Sequence, residues 1–226
     1  MRRGAQDPDS RPPCTALVST YPTPGAPRIP RASRAAGLRV EPVTAGRWPD
    51  LEQLFGSRGA CGGCWCMHFR LLKPEFERGK GRANREALRR LVTAGAEPGV
   101  LAYEGGRAIG WCAVAPREQY PRLERSRAMR AVDDRPVWSV VCLFVEKGQR
   151  RRGVSVALLR GAAEFASARG ARLVEGYPVE PRSGTMPDVF AWTGTAAAFL
   201  AAGFSEVGRG VPGRPIMRLE LPARQR

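Results

Sequence analysis

The residues whose types and spacing best suit chemistry follow one another in the chain. Val140-Val141-Cys142-Leu143-Phe144-Val145 is an unbroken run of β-formers that leads into Gly148-Gln149-Arg150-Arg151-Arg152-Gly153-Val154-Ser155 and then into a helical pattern. A buried strand that turns through a basic, glycine-containing loop into a helix makes an anion site. The N–H groups of a first helical turn have no intrahelical acceptor and point outward with the positive end of the macrodipole. Gly153 lets the backbone come close to a ligand. The spacing Arg150-x-x-Gly153-x-Ser155 matches neither the P-loop, which needs Gly-x4-Gly-Lys-Ser/Thr, nor the dinucleotide fingerprint Gly-x-Gly-x-x-Gly. Neither nucleotide fold is supported.

A second cluster is Cys61-Gly-Gly-Cys64-Trp-Cys66-Met-His68, with four soft or borderline ligands, enough in number for tetrahedral zinc. All four fall in one short stretch, whereas stable zinc sites draw pairs from separated segments. Cys64, Cys66 and His68 alternate at period two, as along one face of an extended segment. A packed segment is the favoured reading over a metal site or a redox pair. His68 is the only histidine in the chain.

Hydrophobic periodicity supplies the elements that must position these residues. It predicts a short strand from Leu38 to Val43, a helix carrying Trp48, Leu51 and Phe55, and a second helix from Ala83 to Thr93 with Gly95 as its stop. A hairpin pairs Val100–Glu104 with Arg107–Ala115 around Gly105-Gly106. The stretch from Pro116 to Pro136 is charged and turn-rich. After the Val140–Val145 strand, buried on both faces, comes a helix with the inward stripe Val154, Leu158, Ala162 and Phe165, closed by Gly170. A strand (172–177), a helix (195–202) and two closing strands (204–208 and 216–221) complete the pattern. An antiparallel start followed by alternating strands and helices predicts a mixed α/β sheet.

The chain of 226 residues is 43% hydrophobic, which is enough to build a core. Lys and Arg outnumber Asp and Glu by 37 to 21, and the net charge of +16 favours anionic partners without choosing among polynucleotide, acidic membrane and phosphorylated small molecule. The longest apolar runs fall far short of the roughly 20 residues that span a bilayer, so no membrane partner is expected. Cysteines at 14, 61, 64, 66, 112 and 142 form no spread-out disulfide framework, and the compartment is expected to be reducing and cytoplasmic. Residues 1–37, with Pro8, Pro12, Pro13, Pro22, Pro24, Pro27 and Pro30, read as a disordered Pro/Arg-rich tail, and residues 38–226 as one domain.

Arg150-Arg151-Arg152-Gly153-Val154-Ser155 resembles the acetyl-CoA signature Gln/Arg-x-x-Gly-x-Gly/Ala of the GCN5-related N-acetyltransferases (GNAT), with Ser155 standing where Gly or Ala is usual. The strand through Glu175 and the run from Ala196 to Phe204, similar to the family's late helix ending in Gly-Phe, extend the likeness over about Leu38 to Leu221. The resemblance implies a mixed, splayed α/β sheet flanked by helices on both faces, with acetyl-CoA as co-substrate and no metal. It implies that the backbone of Cys142, Leu143, Phe144 and Val145 pairs with the pantetheine arm. Arg150 and the N–H groups of about Arg151, Arg152, Gly153, Val154 and Ser155 would hold the pyrophosphate.

The implied reaction is direct attack of a primary amine, on a small molecule or a protein, upon the acetyl thioester. That needs a base, a polarised carbonyl and an acid for the leaving thiolate. Backbone N–H near Val145 serves the carbonyl, and Glu175 and Glu146 are the candidate bases, both near where the fourth and fifth strands should part. The family's usual acid, a tyrosine four residues before the late Gly-Phe, is Phe199 here. Tyr177, two residues after Glu175 and on the same strand face, is the candidate substitute. The family layout also makes the segments Cys61–Leu72 and Pro116–Trp138 walls of the acceptor site, with Trp65, Met67 and His68 as candidate contacts. The second wall brings Tyr120, Arg122, Arg125, Arg127, Asp133 and Asp134, whose mixed charge suits a polar substrate. Because Phe199 has no proton to give, a non-catalytic acyl-CoA-binding regulatory protein is a competing reading. A nucleic-acid-binding protein is a weaker one, since no basic-aromatic RNA motif, recognition-helix signal or paired zinc finger is present. A homodimer is compatible with all three.

Overall fold

The computed structural model describes residues 37–180 and 191–222. The tail expected over residues 1–37 lies outside the described residues except for Gly37, as does Cys14. The chain runs β1 (Arg39–Pro42), α1 (Trp48–Phe55), α2 (Lys73–Gly79), α3 (Arg82–Thr93), β2 (Gly99–Glu104), β3 (Arg107–Pro116), the single turn α4 (Pro121–Glu124), β4 (Trp138–Val145), α5 (Val154–Ala168), β5 (Leu173–Gly176), α6 (Ala196–Ala202), β6 (Ser205–Val211) and β7 (Arg214–Glu220). The strands form one sheet in the order β1-β2-β3-β4-β5-β7-β6, in which only β4 and β5 run parallel.

Each face of the sheet carries its own core. On one face Trp48, Leu51 and Phe55 of α1, Phe76 of α2, Leu88 and Val92 of α3 and Leu123 of α4 close over Leu101, Trp111, Val141 and Cys142. On the other, Val154, Leu158, Leu159, Ala162, Phe165 and Ala166 of α5 and Phe199 and Ala202 of α6 close over Val100, Ala102, Val114, Val140 and Val174. The alanines at 162, 163 and 166 keep α5 slim. Each buried leucine of the stripe is worth about 1.5–3 kcal/mol in transfer terms, so α5 supplies much of the cover on this face and α6 completes it.

One irregularity decides where the sheet opens. Ala113 pairs with Cys142 but Val114 pairs with Val140, leaving Val141 as an extra residue on β4. Such a bulge bends its strand and sharpens the local twist. Consistent with that, β4 and β5 pair only at Trp138–Val174, Ser139–Glu175 and Val140–Gly176, and from the bulge onward β4 has β3 alone as a strand neighbour.

Three stretches depart from the sequence expectation. Helix α2 has no counterpart in it, because seven residues burying Phe76 give too short a stripe to register as a period; its start is nonetheless marked by Pro74 and by Glu75, whose carboxylate accepts from the Leu72 N–H at 3.3 Å. Cys61 to His68 is not extended. A π-type turn spans Gly59–Gly63, and Trp65 and Cys66 adopt left-handed φ values of 40° and 46° that let Trp65 pack under Phe55 and Trp48. The stretch 116–136 is no solvated loop throughout, since Arg117, Tyr120, Leu123 and Met129 are buried in it.

Candidate active site

Past the bulge the gap beside β4 is a cavity of about 610 Å³ whose walls include Leu143, Phe144, Val145, Arg150, Arg151 and Ser155, with Trp192, Gly194 and Thr195 opposite and Cys61 at the rim. A smaller cavity of about 260 Å³ continues it around the turn, lined by Arg150, Arg151, Gly153, Val154 and Ser155. Helix α5 starts at this turn with Gly153 at its N-cap in a left-handed conformation, φ 79°, and with no side chain capping it. The first-turn N–H groups therefore face the cavity without a side-chain acceptor of their own. Arg151 precedes it with a left-handed φ of 61°, a costly posture for a residue with a Cβ, and makes no ion pair among the described residues. The Arg150 Nε donates to the Val145 carbonyl at 3.1 Å, tying the turn to the end of β4.

Eight of the ten positions expected to hold the donor line these two cavities. The other two face elsewhere. The Cys142 side chain points to the α1 face, where its thiol meets that of Cys66. Arg152 is engaged by Glu104 at 2.9 Å and by Gln149. Within the gap the Leu143 N–H donates to the Trp192 carbonyl at 2.7 Å, so this strand donor is directed at the opening.

Of the expected acid–base residues, Glu175 and Tyr177 sit together, and Glu146 stands apart from them; none of the three lines the two cavities. Glu175 and Tyr177 are each 1% exposed. The Glu175 carboxylate accepts from Arg218 at Nε, 2.8 Å, and at Nη2, and from the Tyr177 hydroxyl at 3.3 Å. Arg218 in turn donates to Asp133 at 2.7 Å, holding that carboxyl well below the usual carboxylate range. The Tyr177 hydroxyl also accepts from Arg117 at 2.6 Å and lies 3.0 Å from the Ser139 Oγ. Burial first, then the Glu175 charge, pushes the phenol further above its ordinary value. These groups are saturated where β4 and β5 still pair, and neither Glu175 nor Tyr177 lines the cavities just described. Glu146 stands beyond the other end of β4, about 20 Å along the strand from Ser139 at the usual rise per residue. It is half-exposed and paired with Arg107 at 2.8 Å, whose guanidinium lowers its pKa.

Phe199 is wholly buried against Phe204, with ring centroids 5.0 Å apart. A Cβ on Gly176, the last residue of β5, would collide with this ring. The position is thus part of the α6-side core, next to Leu143 and Gly194, and a hydroxyl there would enter a dry site.

Trp192 also lines a second cavity, of about 410 Å³, walled by His68, Phe69, Lys73, Arg122, Arg125 and Met129 among others. His68 stacks edge-on against Trp192, Phe69 and Phe76 at 4.8–4.9 Å between centroids. Burial, reinforced by the nearby Arg122 charge, lowers its pKa to about 4 and keeps the imidazole neutral at pH 7. Of the sequence-named contacts, His68 opens into this cavity; Trp65 and Met67 are core residues. Trp192, Arg117 and Arg218 escaped the sequence reading. Trp192 lies in no periodic element, and the arginines are members of an abundant type, so neither carried a pattern signal. Among the described residues no group of three or more His, Cys, Asp or Glu side chains is placed to hold a metal, and no helix is long and apolar enough to cross a membrane.

A strand that parts from its parallel neighbour beside an uncapped, basic helix start describes an acyl-CoA-using acyltransferase, and comparison with known families agrees. The acetyltransferase (GNAT) family model matches residues 65–181, just over half of the chain. The chain belongs to that family and is an acyltransferase with acetyl-CoA as its acyl donor. Solved structures similar to it include the PaiA N-acetyltransferase of Thermoplasma acidophilum in complex with coenzyme A, at 10% identity and TM-score 0.45, covering 82% of this chain and 99% of that one. Another is a GNAT acetyltransferase of Streptococcus agalactiae, at 11% identity and TM-score 0.49, covering 83% and 98%. A third is the polyamine N-acetyltransferase of Drosophila melanogaster, at 14% identity and TM-score 0.47, covering 81% and 100%. None of the curated proteins compared by sequence matches the chain.

Proposed function

We propose that the protein acetylates a primary amine by direct attack, with the donor entering from the α5 side of β4 and the amine from the side of α2 and α4. The observation that carries this reading is that the cavities of about 610 and 410 Å³ share Trp192 as a common wall where β4 has left β5. Acetyl-CoA supplies an activated acetyl thioester. The residues present suit it: the uncapped first turn of α5, left-handed Gly153 and the side chains of Arg150 and Arg151 suit a pyrophosphate, and the Leu143 N–H suits a pantetheine carbonyl in exchange for that of Trp192. His68, neutral and beside Trp192, takes the proton that the amine sheds as its nitrogen is acylated and becomes far more acidic. As the C–N bond forms the thioester C–S bond breaks, and the departing CoA thiolate takes up that proton from His68 or one from water. Glu175, Tyr177 and Ser139 hold β5 against β4 rather than meet substrate. We assign this activity to residues 38–226, with residues 1–37 as an appendage. We place it in the reducing cytoplasm, where the free thiols of Cys61, Cys64, Cys66, Cys112 and Cys142 persist.

The test combines calorimetry with acetyl-CoA and a thiol-release screen over amines, amino acids, polyamines and aminoglycosides. Binding with release on at least one amine is expected, and His68→Gln should lower kcat on it by about 100-fold or more, the usual scale for a positioned base, with acetyl-CoA affinity unchanged. Absence of thiol release throughout the screen would overturn the proposal.

A further inference from the structure

The cavity beyond Trp192 has a charge that its place in the fold does not require. Lys73 at the start of α2 and Arg122 and Arg125 around α4 bring three cations to its wall, and among the described residues no carboxylate lines it. Arg122 is fixed in place: its Nη1 donates to the His68 carbonyl at 2.8 Å, its N–H to the Phe69 carbonyl at 3.3 Å, and its guanidinium lies over the Phe69 and Phe76 rings. Glu77, the carboxylate closest in charge influence, is held by Lys80 at 2.5 Å. Lys73 and Arg125 make no ion pair among the described residues and are exposed. The opposite wall is aromatic, formed by His68, Phe69 and Trp192.

We infer that the acceptor is an anionic amine of the amino-acid kind, a small molecule whose carboxylate is held by Arg122, Arg125 and Lys73 while its apolar body lies against Phe69 and Trp192. The inference rests on the acceptor side assigned above. A wall of three cations repels polyamines and aminoglycosides, whose further ammonium groups would be desolvated beside like charge. It also favours the unprotonated form of the bound amine, because a positive neighbour disfavours ammonium. The anion repays the cost of burying Arg122, while its planar fork suits a carboxylate.

The experiment compares L-phenylalanine, L-phenylalaninamide, phenethylamine and spermidine as acceptors, for wild type and for the Lys73→Glu/Arg125→Glu double variant, which reverses two exposed charges and spares Arg122. Binding of N-acetyl-L-phenylalanine in the presence of CoA is measured directly by calorimetry. Wild type should prefer the carboxylate over the amide by about tenfold or more in kcat/KM, the scale of one well-placed charge contact. The double variant should lose that preference and weaken N-acetyl-L-phenylalanine binding about tenfold, with acetyl-CoA affinity unchanged. Equal use of acid and amide, preference for spermidine, or product binding that is absent or unaffected by charge reversal would overturn the inference and leave the acetyltransferase reading standing. Loss of acetyl-CoA binding in wild type would instead strike that reading, while the product-binding arm still decides the anion site.

Discussion

The two ends of the β4–β5 pair differ in what they do with polar groups. Where the strands pair, at Ser139 and Glu175, Arg117 and Arg218, the carboxylates of Glu175 and Asp133, a phenol and a hydroxyl hydrogen-bond to one another, and of these only Asp133 reaches the surface. Where they part, past the bulge at Val141, the polar equipment is backbone N–H groups, the uncapped start of α5 and arginines at a cavity wall. A saturated network in a low-dielectric interior has little left for a ligand, whereas an unsatisfied helix terminus has. The side chains with the most catalytic chemistry by type therefore hold the closed end shut, and the residues with the least side-chain chemistry make the binding site. A sheet that must stay joined on one side of a bulge and open on the other needs both.

The largest effect is expected from Gly153→Glu. A side chain at a φ of 79° is strained, and this one adds bulk and negative charge where a pyrophosphate needs close, positive surroundings. No heavy atom lies within 4 Å of a Cβ built there, so the fold should survive. Acetyl-CoA affinity should fall by about 100-fold or more while circular dichroism and melting stay near wild type. Retained affinity in the folded variant would locate the donor elsewhere and erase the contrast between the two ends.

Next comes Glu175→Gln at the closed end. It leaves the buried Arg218 with Asp133 alone, and breaking a buried ion pair from one side costs about 3 kcal/mol. For a domain of this size that is a drop of roughly 6–12 °C in Tm. Tyr177→Phe strands one Arg117 N–H and should cost about 1–2 kcal/mol. Acetyl-CoA affinity should hold in both variants. If instead Tm is preserved and kcat falls about 100-fold, Glu175 is the base of the reaction and the closed end is catalytic.

Much of this arrangement was legible in the sequence. The β4 run, the Arg150–Ser155 turn and the stripe of α5 could be read because each is continuous in the chain and strongly patterned. The mixed sheet followed from the element order. The acceptor side resisted because it is assembled from non-contiguous pieces: His68 from a segment bent by left-handed residues, Arg122 from a one-turn helix, Trp192 from a stretch without period. The partners of Glu175 resisted for a related reason. Arg218 reaches it through β5–β7 pairing across 43 residues and Arg117 reaches Tyr177 across 60, separations at which type and spacing carry no information. The sequence offers Glu175, and after it Glu146, as bases only from their place near where β4 and β5 part, which is position without environment.

A smaller effect is expected at His68, between the two ends. Its folded pKa of about 4 lies below the unfolded value near 6.5. The unfolded chain therefore holds a proton through this window that the folded chain lacks. The contribution to stability is complete above pH 6.5 and is lost as pH falls toward 4. Denaturant melts of wild type between pH 6.5 and 4.5 should show a loss of stability approaching one proton's slope, and His68→Gln should remove that component while leaving that of Glu77 in place. An identical pH dependence in the two proteins would mean that the imidazole is solvated, and with it the dry aromatic wall of the acceptor cavity would be lost.

The smallest effect is expected at Glu146, the carboxylate at the open end. Its environment is the converse of that of Glu175: half-exposed, with one partner, Arg107, itself about half exposed. A screened surface pair of this kind contributes between nothing and about 1 kcal/mol. Glu146→Gln should therefore change stability by less than about 0.5 kcal/mol and leave kcat within about twofold, since no wall of either cavity includes the residue. Because Arg107 lowers its pKa, Glu146 in wild type is ionised throughout neutral pH, and any contribution would be lost only as the pH falls through the acid range. A large drop in kcat with an acid limb that disappears in the variant would make Glu146 the base, which would require the β4 terminus to swing toward the gap and Arg107 to release it. Arg107→Ala separates these cases: it should leave kcat unchanged if the pair is a surface contact, and raise it if the guanidinium holds a working base away from the amine.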